Sequence, residues 1–472
     1  MSTTLTIDPI TRIEGHARIT IQLDDAGDVA DAHFHVTQFR GFEKLCEGRP
    51  FAEMPSLMAR ICGICPVSHL VAAAKACDRI LAVRPPKTGS DLRALMNLAQ
   101  IVQSHSLSLF YLAAPDLVFG FDSDPATRNI VGIARTNPQL AGDGILLRKF
   151  GQRIIEILGG KRIHPSWIVP GGVESPLTAE KRDEIRAMIP GAYGAVDRTL
   201  AWYKANLLSW AEEEASLGNF KSAFMAMVDD DGFVTHYDGR LRIADHDGTL
   251  ITEFDPRDYG EHLGEFVDDA SFLKPTYLLA RGVTDGMYRV GTLARVVVAK
   301  GFGTPRADEE LALFRERFGP APSSSFLYHH TRLIEILHGI EKIEQLLNDP
   351  DILSDRVISN AQVNRNVGIG VAEAPRGTLM HRYEVDDDGI VQTANLMIAT
   401  GHNASAMNAG VLQVAKKYVH GDDVEEGMLN RVEAVIRCYD PCLSCSTHAA
   451  GQMPMVVNLL DARGEVVRVL SR

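Results

Sequence analysis

Apolar residues alternate with polar ones at Ala17, Ile19, Ile21 and Leu23. The run Asp24-Asp25-Ala26-Gly27 then breaks the pattern, and alternation resumes at Ala32, Phe34 and Val36. A period of two with an Asp/Gly-rich break predicts a β-hairpin. The same turn chemistry recurs at Asp229-Asp230-Asp231-Gly232, Asp386-Asp387-Asp388-Gly389 and Asp461-Ala462-Arg463-Gly464, without any sequence repeat. Between these points the period lengthens. Leu92, Leu95, Met96, Ala99 and Val102 fall on one helical face after a Ser90/Asp91 cap. Residues 179–217 and 325–348 also read as helices, the first interrupted at Pro190. The expected fold is α+β and helix-dominated, with peripheral β-hairpins. No linker or low-complexity segment divides it, so residues 1–472 are expected to form a single domain.

The 472 residues are 45% hydrophobic and 23% charged, enough for a large core. A net charge of −13 with scattered Lys and Arg leaves no electrostatic footprint for nucleic acid. No apolar run approaches the roughly 18–20 residues that span a bilayer. No signal-peptide pattern opens the chain, and seven Cys at low density argue against a disulfide framework. These features together predict a cytoplasmic protein.

Four of the cysteines form two Cys-x-x-Cys pairs near opposite ends: Cys62 and Cys65, with His69 following, and Cys442 and Cys445, with His448 following. Four thiols gathered by the fold make a soft metal site. Pro66 suits the first position of a helix, which would place Cys65 at a helix N-terminus, where the dipole favours thiolate. His69 lies one turn on. Taken alone, the pairs fit a structural Cys₄ zinc site in a non-enzymatic scaffold. Against zinc, such sites usually staple small local units, whereas these pairs are separated by nearly the whole chain.

Arg60-Ile61-Cys62-Gly63-Ile64-Cys65 with His69, and Asp440-Pro441-Cys442 with Cys445 and His448, resemble the two signatures of the [NiFe]-hydrogenase large subunit. The segments Asp8-Pro9-Ile10-Thr11-Arg12-Ile13-Glu14-Gly15-His16, Arg40-Gly41-Phe42-Glu43 and Glu373-Ala374-Pro375-Arg376-Gly377 extend the resemblance over most of the chain. The wording around them is most similar to the soluble, bidirectional NAD(P)-linked type. The resemblance implies reversible heterolytic cleavage of H₂ to protons and electrons. It implies Cys62 and Cys442 as terminal nickel ligands, and Cys65 and Cys445 as bridges to an iron that carries CO and CN⁻. Cys442 is implied as the first proton acceptor and Glu14 as the relay. Arg376 would be poised over the metals, with Asp116 and Asp440 near the site and either able to pair with Arg376. Thr400 would contact a cyanide, although Ala399 stands where the family often has Pro. His69 would lie close to a bridging sulfur. Glu43, the Leu396 carbonyl and His448 are the implied ligands of Mg²⁺. Cys46, Cys77 and Cys438 match no ligand position.

The segment Gly368-Ile369-Gly370-Val371-Ala372-Glu373 lacks the last glycine of a dinucleotide fingerprint, and no P-loop is present. With its motif cysteines committed, the chain has no ligands for Fe–S clusters. Electrons are therefore expected to leave through a small Fe–S subunit toward FMN- and NAD(P)-binding diaphorase subunits. The resemblance also implies a maturation endopeptidase that cuts after His448 and removes residues 449–472. The same family coupled to another electron carrier is the nearest alternative. The quinone-site subunit of respiratory complex I resembles this fold but lacks the cysteines.

Overall fold

The computed structural model describes residues 3–37, 41–268, 270–420, 424–443, 456–460 and 466–471. The first predicted hairpin forms as strands β2 (Ala17–Leu23) and β3 (Val29–Val36), with Ile19 and Ile21 fully buried and Phe34 nearly so. Gly27 takes a positive φ of 84° in the turn, where its N–H donates to Asp24 O at 3.1 Å. Strand β1 (Thr3–Asp8) pairs with β2 on one side and with Val456–Leu460 on the other, and Val466–Ser471 completes a five-stranded antiparallel sheet. The two ends of the chain thus share one sheet. The Asp461–Gly464 turn lies outside the described residues, but the strands on either side of it pair.

The Asp386–Gly389 turn joins Gly377–Val385 to Val391–Met397 as expected. The Asp229–Gly232 turn also closes, with Gly232 N donating to Asp229 O at 3.0 Å, and a short antiparallel pairing follows it, Val228 opposite Val234 with Asp229 N donating to Phe233 O at 2.9 Å. That pairing is brief, because Val234 N donates to Gly301 O, and the strand that pairs along Ala223–Val228 starts only at Arg240.

Two helix boundaries also differ from the sequence reading. The helix expected after Ser90/Asp91 begins a turn earlier and spans Lys87–Ser106. Lys87 Nζ bonds Asp91 at 2.9 Å and Asp349 at 2.6 Å, and Thr88 Oγ1 donates to Asp351 O, so tertiary contacts hold the extra turn. The Ala179–Asn206 helix runs through Pro190 without interruption. Pro190 and Arg186 are both exposed, so the carbonyl that loses its partner faces solvent. The break comes instead at the 3₁₀ turn Leu207–Trp210. Tyr328–Asn348 forms as expected, after a 3₁₀ turn over Ser325–Leu327.

Lys87–Ser106 packs between the Pro138–Gly159 and Tyr328–Asn348 helices, giving the helix-dominated α+β fold its centre. The glycines of the near-fingerprint have a packing role. A Cβ on Gly370 would lie 2.0 Å from Ala72 O, and one on Gly368 2.1 Å from Ala76 O. They let the strand Val367–Ala374 lie flat on the helix Pro66–Leu81, which fixes the loop after the strand relative to the cysteines before the helix.

Candidate metal centre

The helix Pro66–Leu81 starts with Pro66 at its first position and Cys65 as its N-cap residue. At the far end of the sequence, the helix Glu426–Tyr439 stops at Asp440, whose left-handed conformation (φ 52°, ψ 56°) turns the chain toward Cys442. These two geometries bring Cys62 Sγ and Cys442 Sγ to 2.8 Å, and Cys65 Sγ and Cys442 Sγ to 3.6 Å. The three sulfurs form the one group of at least three metal-ligating side chains found among the described residues. Cys445 and His448 lie outside the described residues. Cys46, Cys77 and Cys438 are buried free thiols that do not join the group.

Helix polarity predicts a lowered Cys65 pKa, but the structure gives the opposite. Contact with Cys442 pulls the Cys65 thiol down, yet contact with Cys62 and burial push it well above its ordinary value. Contacts with Cys62 and Cys65, then burial, raise Cys442 in the same way. Crowded buried sulfurs cannot share negative charge without a cation, so this donor set fits a soft metal ion.

Arg376 occupies the tight turn between Val367–Ala374 and Gly377–Val385. It is buried and reaches both the Asp440 carboxylate, from Nη2 at 3.0 Å, and the Asp440 carbonyl, from Nε. Its Nη1 donates to Ser104 Oγ at 3.2 Å. Burial opposes its charge, but Asp440 and then the three thiols hold its pKa well above the usual value. Of the two acids considered as its partner, Asp440 takes the place. Asp116 instead binds Arg12 at 2.6 Å, Arg437 at 3.0 Å and Arg128 at 3.4 Å.

The Asp8–His16 segment is fixed by these and neighbouring bonds. Thr11 donates from N and Oγ1 to Glu433, and Arg12 reaches Leu112 O and Asn430. Glu14, 3% exposed, then runs beside Cys442 as an isolated parallel bridge, its carbonyl accepting from Leu443 N at 3.1 Å. Thr400 Oγ1 accepts from Cys442 N at 3.0 Å. His69 is backed by a short buried chain, Nδ1 to His381 Nε2 at 3.1 Å and His381 Nδ1 to the Tyr383 hydroxyl at 2.8 Å, and burial lowers its pKa to about 4.

Glu43 and Leu396 also come together. Glu43 Oε1 accepts from Leu396 N at 2.9 Å, while Lys274 Nζ stands 3.4 Å from Oε2. Both residues line a cavity of about 210 Å³ that reaches His69 and Cys442. Ser104, His381, Tyr383 and Arg437 were not singled out from the sequence. The site partners of Ser104, His381 and Arg437 lie far away in the sequence, and only the fold brings them together. Arg12 lies inside the Asp8–His16 motif, where the sequence alone assigns it no role.

A profile described as "Nickel-dependent hydrogenase" matches residues 40–126 and 256–448, and one described as "HoxL-like" matches residues 4–39. The beta chain of the NAD-reducing hydrogenase HoxS of Cupriavidus necator is 41% identical, with 100% of each chain covered. A chain of the F420-non-reducing hydrogenase vhc of Methanococcus voltae is 40% identical, with 98% of each covered. Among solved structures, an NAD⁺-reducing [NiFe]-hydrogenase in the H₂-reduced state superposes with a TM-score of 0.91 at 42% identity, covering 94% of this chain and 99% of the other.

Proposed function

This chain belongs to the nickel-dependent hydrogenase family, and from that premise we propose that it is the catalytic subunit of a cytoplasmic, NAD(P)-linked [NiFe]-hydrogenase that cleaves H₂ reversibly to protons and electrons. The observation that carries the reading is the convergence of Cys62, Cys65 and Cys442 beneath Arg376, with the Glu14 backbone bridged to Cys442. Cys62 and Cys442 would hold nickel, and Cys65 and Cys445 would serve both nickel and an iron that carries CO and CN⁻. Glu43, the Leu396 carbonyl and His448 would hold Mg²⁺. When bound, the nickel–iron pair supplies the soft, electron-rich centre at which H₂ is polarised and split.

The chain's own residues handle the proton. The Cys442 sulfur receives it beside the cavity that it lines with His69 and Glu43. Glu14, next to Cys442 along the bridge, takes it onward by general-base chemistry. Arg376 does not titrate, and its fixed charge stabilises the thiolates below it. Ser104 and Asp440 hold the guanidinium in place. Thr400 fixes the Cys442 backbone and has its own O–H left to donate to a cyanide. His381 and Tyr383 orient His69 beside the sulfurs.

Residues 1–472 act as one unit until an endopeptidase removes 449–472 after His448. Two findings support the cut: the nickel-dependent family match ends at residue 448, and the strands beyond it lie at the sheet edge against β1. Electrons pass to a small Fe–S subunit, then to diaphorase subunits carrying FMN and NAD(P). Coupling to another carrier is the second reading, and the 40% identity to an F420-non-reducing archaeal hydrogenase chain favours it. It keeps every site residue and changes only the partners. The complex purified from a maturation-competent host should contain nickel and iron in equal amounts and reduce NAD⁺ or NADP⁺ with H₂. Stoichiometric zinc without nickel would refute the hydrogenase reading, and dye reduction without NAD(P)⁺ reduction would favour the second carrier.

A further inference from the structure

The loop between the first two cysteines makes two hydrogen bonds to sulfur. Ile64 N and Cys65 N donate to Cys62 Sγ at 3.3 and 3.4 Å. The other side of the same loop is held by two buried glutamines of the central Lys87–Ser106 helix. Gln100 Nε2 and Gln103 Nε2 both donate to Ile64 O, the second at 2.7 Å. They stand three residues apart, so their side chains leave the same face of that helix. Gln100 Oε1 in turn accepts from Val67 N at 3.3 Å. Val67 N–H is one of the free donors in the first turn of the helix Pro66–Leu81, and the N-cap residue Cys65 makes no side-chain bond there.

Satisfying a buried carbonyl takes one donor, but Ile64 O receives two, which occupy both of its lone pairs and fix its direction. Ile64 O and Cys65 N belong to one peptide unit. That unit is planar and trans, so its C=O and N–H point in opposite directions. Drawing the oxygen toward the two glutamines therefore turns the Cys65 N–H toward the Cys62 sulfur. The Gln100 amide can sit only one way round, because Val67 N–H needs its oxygen and Ile64 O needs its nitrogen. An apolar side chain at either position would fill the same space without setting this direction.

We propose that Gln100 and Gln103 are positioning residues of the metal centre, which clamp Ile64 O so that two N–H groups are aimed at the Cys62 sulfur and its electron donation to a bound metal is set. The proposal rests on the hydrogenase reading. The clamp aims the Cys65 N–H directly and holds the loop in which the Ile64 N–H makes the second bond. Neither glutamine titrates. An N–H···S bond withdraws charge from a thiolate and so favours the more reduced, more negative state of the centre. Without the clamp the sulfur is richer in electrons and the centre is harder to reduce.

The test compares Gln103→Met and the double substitution Gln100→Met with Gln103→Met, since methionine keeps the length of the side chain and removes the donor. In the assembled, metal-loaded complex the double variant should make reduction of the nickel about tenfold less favourable, a fall of about 59 mV for a one-electron step. Its CO and CN⁻ infrared bands should move to lower wavenumber. Gln103→Met leaves Gln100 in place and should shift both readouts in the same direction by less. In the metal-free chain the Cys65 amide hydrogen should exchange about tenfold faster in the double variant. A merely structural role predicts lower nickel content, with the potential and the bands of the loaded fraction unchanged. That outcome, shifts of the opposite sign, or an unchanged Cys65 exchange rate would each overturn the proposal. Should the double variant not fold, Gln103→Met decides by the same signs. Absence of CO and CN⁻ bands in the unsubstituted complex would instead refute the hydrogenase reading, and the Cys65 exchange rate would still decide the clamp.

Discussion

Asp116 and Asp440 are equally buried, at 2% exposure each, and both bind arginine, yet their clusters are balanced in opposite directions. Three arginines and Asn430 surround Asp116. Burial alone would raise its pKa, but Arg12, Arg437 and Arg128 bring it to about 2. Asp440 has a weaker hold: Arg376 pairs with one carboxylate oxygen, the other has no hydrogen-bond partner among the described residues, and burial leaves its pKa raised. In the second cluster the excess positive charge of Arg376 is directed at three sulfurs. The Asp116 cluster is closed on itself and braces, through Arg12, the segment that carries Glu14. The Arg376 cluster is left open toward whatever the sulfurs bind.

The largest expected effect lies at the open cluster. Replacing Cys62, Cys65, Cys442 or Cys445 by Ser should abolish H₂ activity and nickel content together, because a hard hydroxyl is a poor ligand for a soft ion. Cys46→Ser, outside the sulfur group, should retain both. Nickel retained at full occupancy in Cys65→Ser would break the comparison at its foundation.

The two arginine–carboxylate clusters should then fail differently. Asp116→Asn leaves three buried guanidinium groups short of a counter-charge and should cost about 3–5 kcal/mol of stability, measured by denaturant unfolding of the metal-free chain. Arg376→Lys keeps the charge but loses the two-pronged contact with Asp440 and Ser104. It should lower turnover about 10²-fold with a much smaller loss of stability. If both substitutions gave the same profile, the distinction between brace and active-site arginine would fall.

Much of this arrangement was legible before any fold was known. The period of two over Ala17–Val36 and the proline after Cys65 set local geometry that tertiary contacts did not override. The meeting of the two cysteine motifs followed from their shared chemistry. The resemblance names Asp440 as one of two possible partners of Arg376, but the choice between it and Asp116, and the contacts of Ser104, Arg12 and Arg437, needed the fold, because these residues come from distant segments. The start of the Lys87–Ser106 helix was missed for a similar reason: Asp349 and Asp351, which hold its first turn, lie far along the chain. Pro190 misled because its cost depends on which face of the helix it occupies. The expected thiolate at Cys65 weighed the helix dipole but not the crowding of three sulfurs.

Acid titration separates the clusters by sign. Asp116 has a folded pKa below its unfolded value, so its stabilising contribution is fully present above about pH 4 and is lost as pH falls toward 2. From about 3.9 to about 2, that contribution is about 2–3 kcal/mol. Asp440 is shifted the other way, so its contribution is present in acid and lost as pH rises past the ordinary carboxyl range. The acid-side slope of unfolding free energy in the metal-free chain should therefore flatten in Asp116→Asn. An unchanged slope between pH 4 and pH 2 would show that Asp116 is not the group whose protonation weakens the brace.

The smallest effect is expected at the rim, where Glu43 offers a third kind of charged contact. Its Oε1 is committed to Leu396 N, while Lys274 stands 3.4 Å from Oε2 with its own side chain 47% exposed. An exposed pair at that distance is worth about 0–1 kcal/mol, since solvent screens it and two long side chains must be ordered to form it. If Glu43 belongs to a Mg²⁺ site with the Leu396 carbonyl and His448, Lys274 is a competitor for the same carboxylate. Lys274→Ala should then leave stability within about 1 kcal/mol and should tighten Mg²⁺ binding to the mature complex, measured by chelator titration. Weaker Mg²⁺ binding together with a large loss of stability would make Lys274 the true partner of Glu43, and the rim would join Asp116 as a closed ion pair.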